Sequence, residues 1–284
     1  MDDSPIIVAS DGSARSAAAI QWALHEGERR KLPVCLAYVL DPESRRSGLG
    51  AAGPVADVRS EAEASMRRLA AEAYDWGRLG IEVTGVVLDG PVARALCHRS
   101  SAASMIVVGD RGVGGFTGLR LGSVSLEVAA HAGCPVVVVR GELHVPDRRP
   151  VVVGVDDAPE ARLAVQFAFE EAAIRGVGLV AVRACSAREW RPDDETDGGP
   201  GQPPVAAQRL VAEAVTCWHD RYPSVDVTSR LMPVTATHAL TLASHGAQLV
   251  VVGSRGSGGL AGLPLGAVSQ QVLQHALCSV MVVR

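Results

Sequence analysis

One motif occurs twice in this chain, 144 residues apart, and it decides most of what the chain can fold into. Gly109-Asp-Arg-Gly112 is followed by nine residues and then Gly122-Ser123. Gly253-Ser-Arg-Gly256 is followed by nine and then Gly266-Ala267. Each copy follows an apolar run, Met105–Val108 or Leu249–Val252, and precedes a helix-like segment. A glycine turn between a strand and a helix exposes backbone N–H groups at the positive end of that helix, which suits phosphate.

Other segments recur at nearly the same offset. Ser16–Glu26 aligns with Ala161–Glu171, so that Gln21, Ala23 and Glu26 return as Gln166, Ala168 and Glu171. Cys134-Pro-Val-Val-Val-Val-Arg140 aligns with Cys278-Ser-Val-Met-Val-Val-Arg284. A repeat of this length is a whole domain. We place domain 1 at residues 1–140, a linker at 141–149 and domain 2 at 150–284. Two domains of about 140 residues fit ordinary domain size.

Within each half, strands alternate with helices. Apolar runs predict strands at Ile6–Ser10, Val34–Leu40, Ile81–Leu88, 104–109 and 135–140. Helical spacing predicts helices over 13–30, 57–79, 91–103 and 122–133. The second half repeats this from Pro150, and its Trp190–Pro204 loop has the acidic, Gly/Pro-rich composition of mobile segments. The fold class is therefore α/β, as two tandem doubly wound domains. Each holds a five-stranded parallel sheet in the order 3-2-1-4-5, with helices on both faces. Ligands in such sheets bind where neighbouring connections leave in opposite directions, outside the strand carboxyl ends. Asp11 ends strand one and Gly109 ends strand four, so both converge on that crevice.

Composition narrows the function. Basic groups number 15 in residues 1–145 against 17 acidic, and 12 in residues 146–284 against 14, so each half is −2 and the sum is −4. Neither half reads as a nucleic-acid binder. Lys31 is the only lysine, which excludes a lysine-dependent phosphate loop. Six cysteines without a Cys-x-x-Cys pair read as reduced thiols of a cytoplasmic protein. The apolar runs are strand-sized, and no membrane segment or signal peptide is expected. The eight histidines show no metal-ligand spacing; His238 and His245 could share a helix face, and His131 and His275 occupy equivalent positions that suggest packing.

At the first glycine turn, Gly112 lets backbone approach phosphate and Gly122 opens the next helix, where Ser123 offers an N–H and a hydroxyl. Arg111 and Arg120 add positive charge. Asp11 is open to two roles, helix N-cap or an adenine, ribose or metal contact, and the two could be split between Asp11 and Ser13. No catalytic residue or metal site is assigned.

Val-Ala-Ser-Asp-Gly-Ser at the first strand end, Gly-x2-Gly-x9-Gly-Ser, and Cys-Pro-Val-Val-Val-Val together resemble the universal stress protein family, more narrowly its tandem-domain, ATP-binding branch. The resemblance covers nearly the whole chain. It implies adenine and ribose contacts from Asp11, beside Ser10, and from the backbone of Val39. It implies phosphate and ribose contacts from Gly109, Arg111, Gly112, Gly122, Ser123, Val124 and Ser125. The matching positions of domain 2 are Asp156, Ala184, Gly253, Arg255, Gly256, Gly266, Ala267, Val268 and Ser269. The resemblance further implies pairing of the last strands, Val136–Val139 with Val280–Val283, as an intrachain pseudo-dimer; a homodimer of chains is compatible with it.

Domain 2 departs from the pattern at three points: Gly12 is answered by Asp157, Ser123 by Ala267, and Arg120 by Pro264. Each change removes a donor or positive charge, or adds negative charge. The expectation is ATP, with or without Mg2+, held tightly by domain 1, with domain 2 binding it weakly or taking another ligand, in a cytoplasmic stress-response regulator whose protein partner the sequence does not name. Nucleotide would order the loops 110–121 and 41–54. A slow ATPase and a nucleotide-free interaction scaffold are the rival classes.

Overall fold

The computed structural model describes residues 4–41, 55–77, 80–112, 120–141, 147–186, 190, 203–258 and 262–284. It divides into two compact units, Met1–Leu143 and His144–Arg284. The loop 41–54 beyond Asp41, residues 113–119 of the loop 110–121, most of the linker and most of Trp190–Pro204 lie outside the described residues, as does any ordering expected of them.

The first unit runs β1 (Ile6–Ala9), α1 (Ala14–Arg30), β2 (Val34–Leu40), α2 (Val55–Gly77), β3 (Val83–Asp89), α3 (Val92–Arg99), β4 (Met105–Gly109), α4 (Ser123–His131) and β5 (Val136–Val139). A 3-10 turn, Ser100–Ala102, follows α3. Its strands lie in the order β3-β2-β1-β4-β5, all parallel. Helix α1 packs on β1, β4 and β5 and α2 on β2 and β3, while α3 packs against α4. Right-handed crossovers place the two helix pairs on opposite faces. Ile6, Val8, Ile106, Val107 and all of Val136–Val139 are buried, as a sheet covered on both faces requires.

The second unit runs β6 (Val151–Gly154), α5 (Pro159–Arg175), β7 (Leu179–Ala184), α6 (Val205–His219), β8 (Val227–Met232), α7 (Ala236–Ser244), β9 (Leu249–Gly253), α8 (Ala267–His275) and β10 (Ser279–Val283). Its strand order, β10-β9-β6-β7-β8, is the same arrangement, again parallel. Among the described residues no helix is long and apolar enough to cross a membrane.

Each unit buries one carboxylate completely. Glu26 in α1 accepts from Arg30 Nε at 2.6 Å and lies 3.6 Å from Arg29. Glu171 in α5 accepts from Arg175 at 2.7 and 2.9 Å, and Arg175 also donates to Gln248 Oε1. Gln248 in turn donates to the carbonyls of Asp147 and Arg149. Both ion pairs lie within one helix, and in the second unit Arg175 also ties its helix to Gln248. Buried charges persist only when paired in this way.

Two sequence expectations need correction. His131 does not pack: it ends α4, is exposed, and its Nδ1 lies 3.0 Å from the Glu127 carbonyl. The third strand begins at Val83, with buried Ile81 ahead of it. None of the six cysteines is in a disulfide, and Cys217 is exposed.

Candidate functional site

The parallel register brings the ends of β1 and β4 side by side, with Ile6 opposite Met105 and Val8 opposite Val107. Ser10 is buried just past β1 and donates its N–H to Ala37 O at 2.8 Å. Gly12 follows Asp11 at φ +80, which lets the Ser13 N–H turn back to Asp11 Oδ1 at 2.9 Å. Ser13 itself caps α1, its hydroxyl accepting from Ser16 N at 3.1 Å. Of the two residues, Ser13 is the one that caps the helix, and Asp11 lines the cavity beside it.

The glycines do different work. A Cβ on Gly112 would lie 2.5 Å from Asp11 Oδ2, so this backbone rests directly on the carboxylate. A Cβ on Gly109 would lie 3.0 Å from Arg15 O, so Gly109 serves the approach of β4 to α1. Gly122 donates its N–H to Asp110 O at 2.7 Å and closes the loop at its base. The buried Ser125 hydroxyl donates to Gly109 O at 2.7 Å. Three links, Asp11 to Gly112, Asp110 to Gly122 and Gly109 to Ser125, therefore assemble the first-unit residues from β1, β4 and α4. Val39 stands on β2 opposite Leu88, half-buried.

Helix α4 has Gly122 at its N-cap and no side-chain cap, with Ser123 exposed and Val124 half-buried at its start. The first N–H groups of a helix have no intrahelical acceptor and carry the positive end of its dipole. Arg111 is half-buried and Arg120 exposed at the two ends of the loop. Asp110 is buried, and its Oδ1 lies 3.7 Å from Arg15 Nε and makes no hydrogen bond among the described residues. A cavity of about 480 Å³ lies between Ser10, Asp11, Tyr38 and helix α2.

The second unit repeats the scaffold. Gly266 donates to Ser254 O at 2.7 Å, the Ser269 hydroxyl to Gly253 O at 2.6 Å, and α8 again starts at a glycine without a side-chain cap. A cavity of about 590 Å³ is lined by Asp156, Ala184, Gly253, Arg255, Gly256, Val268 and Ser269 among others. Gly266 and Ala267 stand at the helix start outside that lining.

Its electrostatics differ. Asp156 Oδ1 accepts from Asp157 N at 2.8 Å, Arg183 Nη1 at 2.8 Å and Ser257 Oγ at 2.7 Å, while Oδ2 accepts from Ser257 N at 2.7 Å. Burial raises the Asp156 pKa, but the hydrogen bonds from Ser257, Asp157 and Arg183 outweigh it and hold the carboxyl below its ordinary range. Arg255 Nη2 pairs with Glu160 Oε1 at 2.7 Å. The helix residue changes sign and partner between the units: Arg15 of α1 faces Asp110, whereas its counterpart Glu160 of α5 faces Arg255, which stands where the first unit has Arg111. Arg183, Glu160, Ser257 and Asp110 were not among the sequence candidates. Arg183 did carry a signal, as a cation inside the apolar strand Leu179–Ala184 where the first unit has Tyr38.

Two parallel doubly wound units, each with a strand-end carboxylate, a glycine turn and an uncapped helix start at its switch point, define a tandem α/β protein built around two crevices. The model of the universal stress protein family matches residues 4–140 and again 147–284. The chain belongs to that family. A universal stress protein of Mycolicibacterium smegmatis is 36% identical over 296 residues, covering 98% of this chain and 96% of the relative. Universal stress protein Rv2623 of Mycobacterium tuberculosis is 35% identical over 290 residues, covering 98% and 96%. The crystal structure of a universal stress protein from Archaeoglobus fulgidus shares the fold, with a TM-score of 0.71 at 19% identity over 100% of this chain and 97% of that one.

Proposed function

We propose that the first unit binds an adenine nucleotide, ATP foremost, in the crevice between the ends of β1 and β4, and that the protein is a nucleotide-responsive stress regulator of the cytosol. One observation carries this reading: the Gly112 backbone lies on the Asp11 carboxylate, beside the open start of α4. An acceptor for ribose or adenine and donors for phosphate thereby share one crevice. Ser123 and Val124 supply N–H groups, Ser123 a hydroxyl, and Arg111 and Arg120 positive charge. Ser125 gives its own hydroxyl proton to Gly109 O, so its share is its N–H and its oxygen lone pairs. Among the described residues no cluster of three metal-ligating side chains exists. Mg2+ would therefore arrive on the phosphates.

The second crevice binds the same ligand more weakly. Its strand-end carboxylate is engaged by four donors, its loop arginine is paired with Glu160, and Ala267 has no hydroxyl. We read the tandem repeat as an intrachain pseudo-dimer, and light scattering decides whether whole chains associate further.

The test is to denature the purified protein, chromatograph what it releases, and titrate Asp11→Ala and Asp156→Ala with ATP, ADP, AMP and a cyclic nucleotide. Asp11→Ala should abolish the tighter site and Asp156→Ala should spare it. Equal losses in both variants sink the asymmetry, and no nucleotide bound by either variant or the parent sinks the reading. Turnover above about one per second would make the protein an enzyme.

A further inference from the structure

We propose that Arg183 sets the ligand preference of the second crevice: its guanidinium holds the Asp156 carboxylate and so turns adenine nucleotides away. The inference rests on the reading that the first crevice takes an adenine nucleotide through Asp11.

An ionised carboxylate offers about four lone-pair sites. On Asp156 four donors already point at the two oxygens: Asp157 N, Arg183 Nη1, Ser257 Oγ and Ser257 N, all within 2.8 Å. Three of them crowd Oδ1 and one engages Oδ2, so a ribose hydroxyl or an adenine amino group, itself a donor, must displace one of the three or settle for the site left on Oδ2 of a carboxylate whose charge is already paired. The guanidinium is the costliest to displace, because it carries a charge that no ordinary pH removes. Arg183 also donates to Val155 O at 3.3 Å and lies 3.9 Å from Asp157, so it ties β7 to the end of β6 across the crevice. Both Arg183 and Asp156 line the cavity.

Arg183 is poorly served by this position. Its Nε is buried and makes no hydrogen bond among the described residues. A buried donor left unpaired is costly to the fold and calls for an explanation. The first unit lacks the guanidinium and the serine hydroxyl in the equivalent places, where Tyr38 stands for Arg183 and Val113 for Ser257. Asp11 and Asp156 therefore share a scaffold and differ in what already occupies them.

The experiment is an ATP titration of the full chain by calorimetry, read as sites per chain and affinity. Arg183→Tyr, which copies the first unit, should gain a second site bound about tenfold or more tighter than the parent shows there. Arg183→Lys keeps a cation beside Asp156 and should stay like the parent. Circular dichroism reports whether Arg183→Tyr folds, and Arg183→Gln replaces it under the same criterion if it does not. A folded variant with no gain overturns the inference, as does a gain in Arg183→Lys equal to that in Arg183→Tyr, or a parent whose two sites already match. The first crevice is judged separately by Asp11→Ala. If that variant loses nothing, the reading of Asp11 fails, while the gain at Arg183→Tyr still decides the role of Arg183.

Discussion

At the residue scale, Gly112 and Asp156 make the strongest claims. Placing a methyl on Gly112 puts it 2.5 Å from Asp11 Oδ2, and the carboxylate must swing away. Gly112→Ala should therefore weaken ATP binding at least tenfold, about 1.4 kcal/mol, while leaving the melting temperature nearly unchanged, since Gly112 is exposed. Retained affinity in calorimetry would remove Asp11 from the site. Asp156 gives a pH signature. Its folded pKa is depressed, so its contribution to stability is present above the unfolded value, about 4, and is lost as pH falls through the folded value. The stability gap between parent and Asp156→Asn, from urea midpoints, should be widest near neutrality and shrink below about pH 4. A gap that stays constant to pH 2.5 would mean the hydrogen bonds to this carboxylate do not favour its charged form.

At the element scale, the buried ion pairs of α1 and α5 are the informative comparison. Glu171 pairs with an arginine whose side chain is 5% exposed, whereas the partners of Glu26, Arg30 and Arg29, are 18% and 28% exposed. Removing Glu171 strands a buried cation, and Glu171→Ala should cost about 3–5 kcal/mol. Glu26→Ala should cost less, because its arginines can reach water. Denaturant melts of the two variants check the order. Elements were also what the sequence showed best. Strand and helix periods located the described elements of the first unit to within a few residues, because apolar spacing is set by the same burial that builds the sheet. The glycine spacing marked the end of β4 for a different reason, the close approach of backbone to α1 and to Asp11. It did not separate Gly109, which serves helix packing, from Gly112, which faces Asp11, since both are equally small. The Arg183 to Asp156 bond was hidden because it joins side chains 27 positions apart, on neighbouring strands. A one-dimensional pattern records residue types and says little about reach.

At the scale of the whole molecule, duplication has kept the frame and altered the chemistry at its mouth. Gly266, Ser269 and Gly253 repeat the hydrogen bonds of Gly122, Ser125 and Gly109 closely. With saturating ATP, hydrogen exchange should slow around Met105–Gly112 and the start of α4, with much smaller change at Leu249–Gly256 and α8. Equal protection of both regions would show two equivalent sites.

The altered pair at the loop base bears on how freely two such halves can trade parts. Grafting the first loop into the second half would put Asp110 beside Glu160, with Arg111 in the place of Arg255 to serve both acids, and the opposite graft would set Arg255 free of its acid and leave Arg15 with a serine. Either chimera would begin with one cation shared by two acids or a bereft cation beneath its ligand. The halves have ceased to be interchangeable spares, and a transplant would succeed only if helix and loop travelled together.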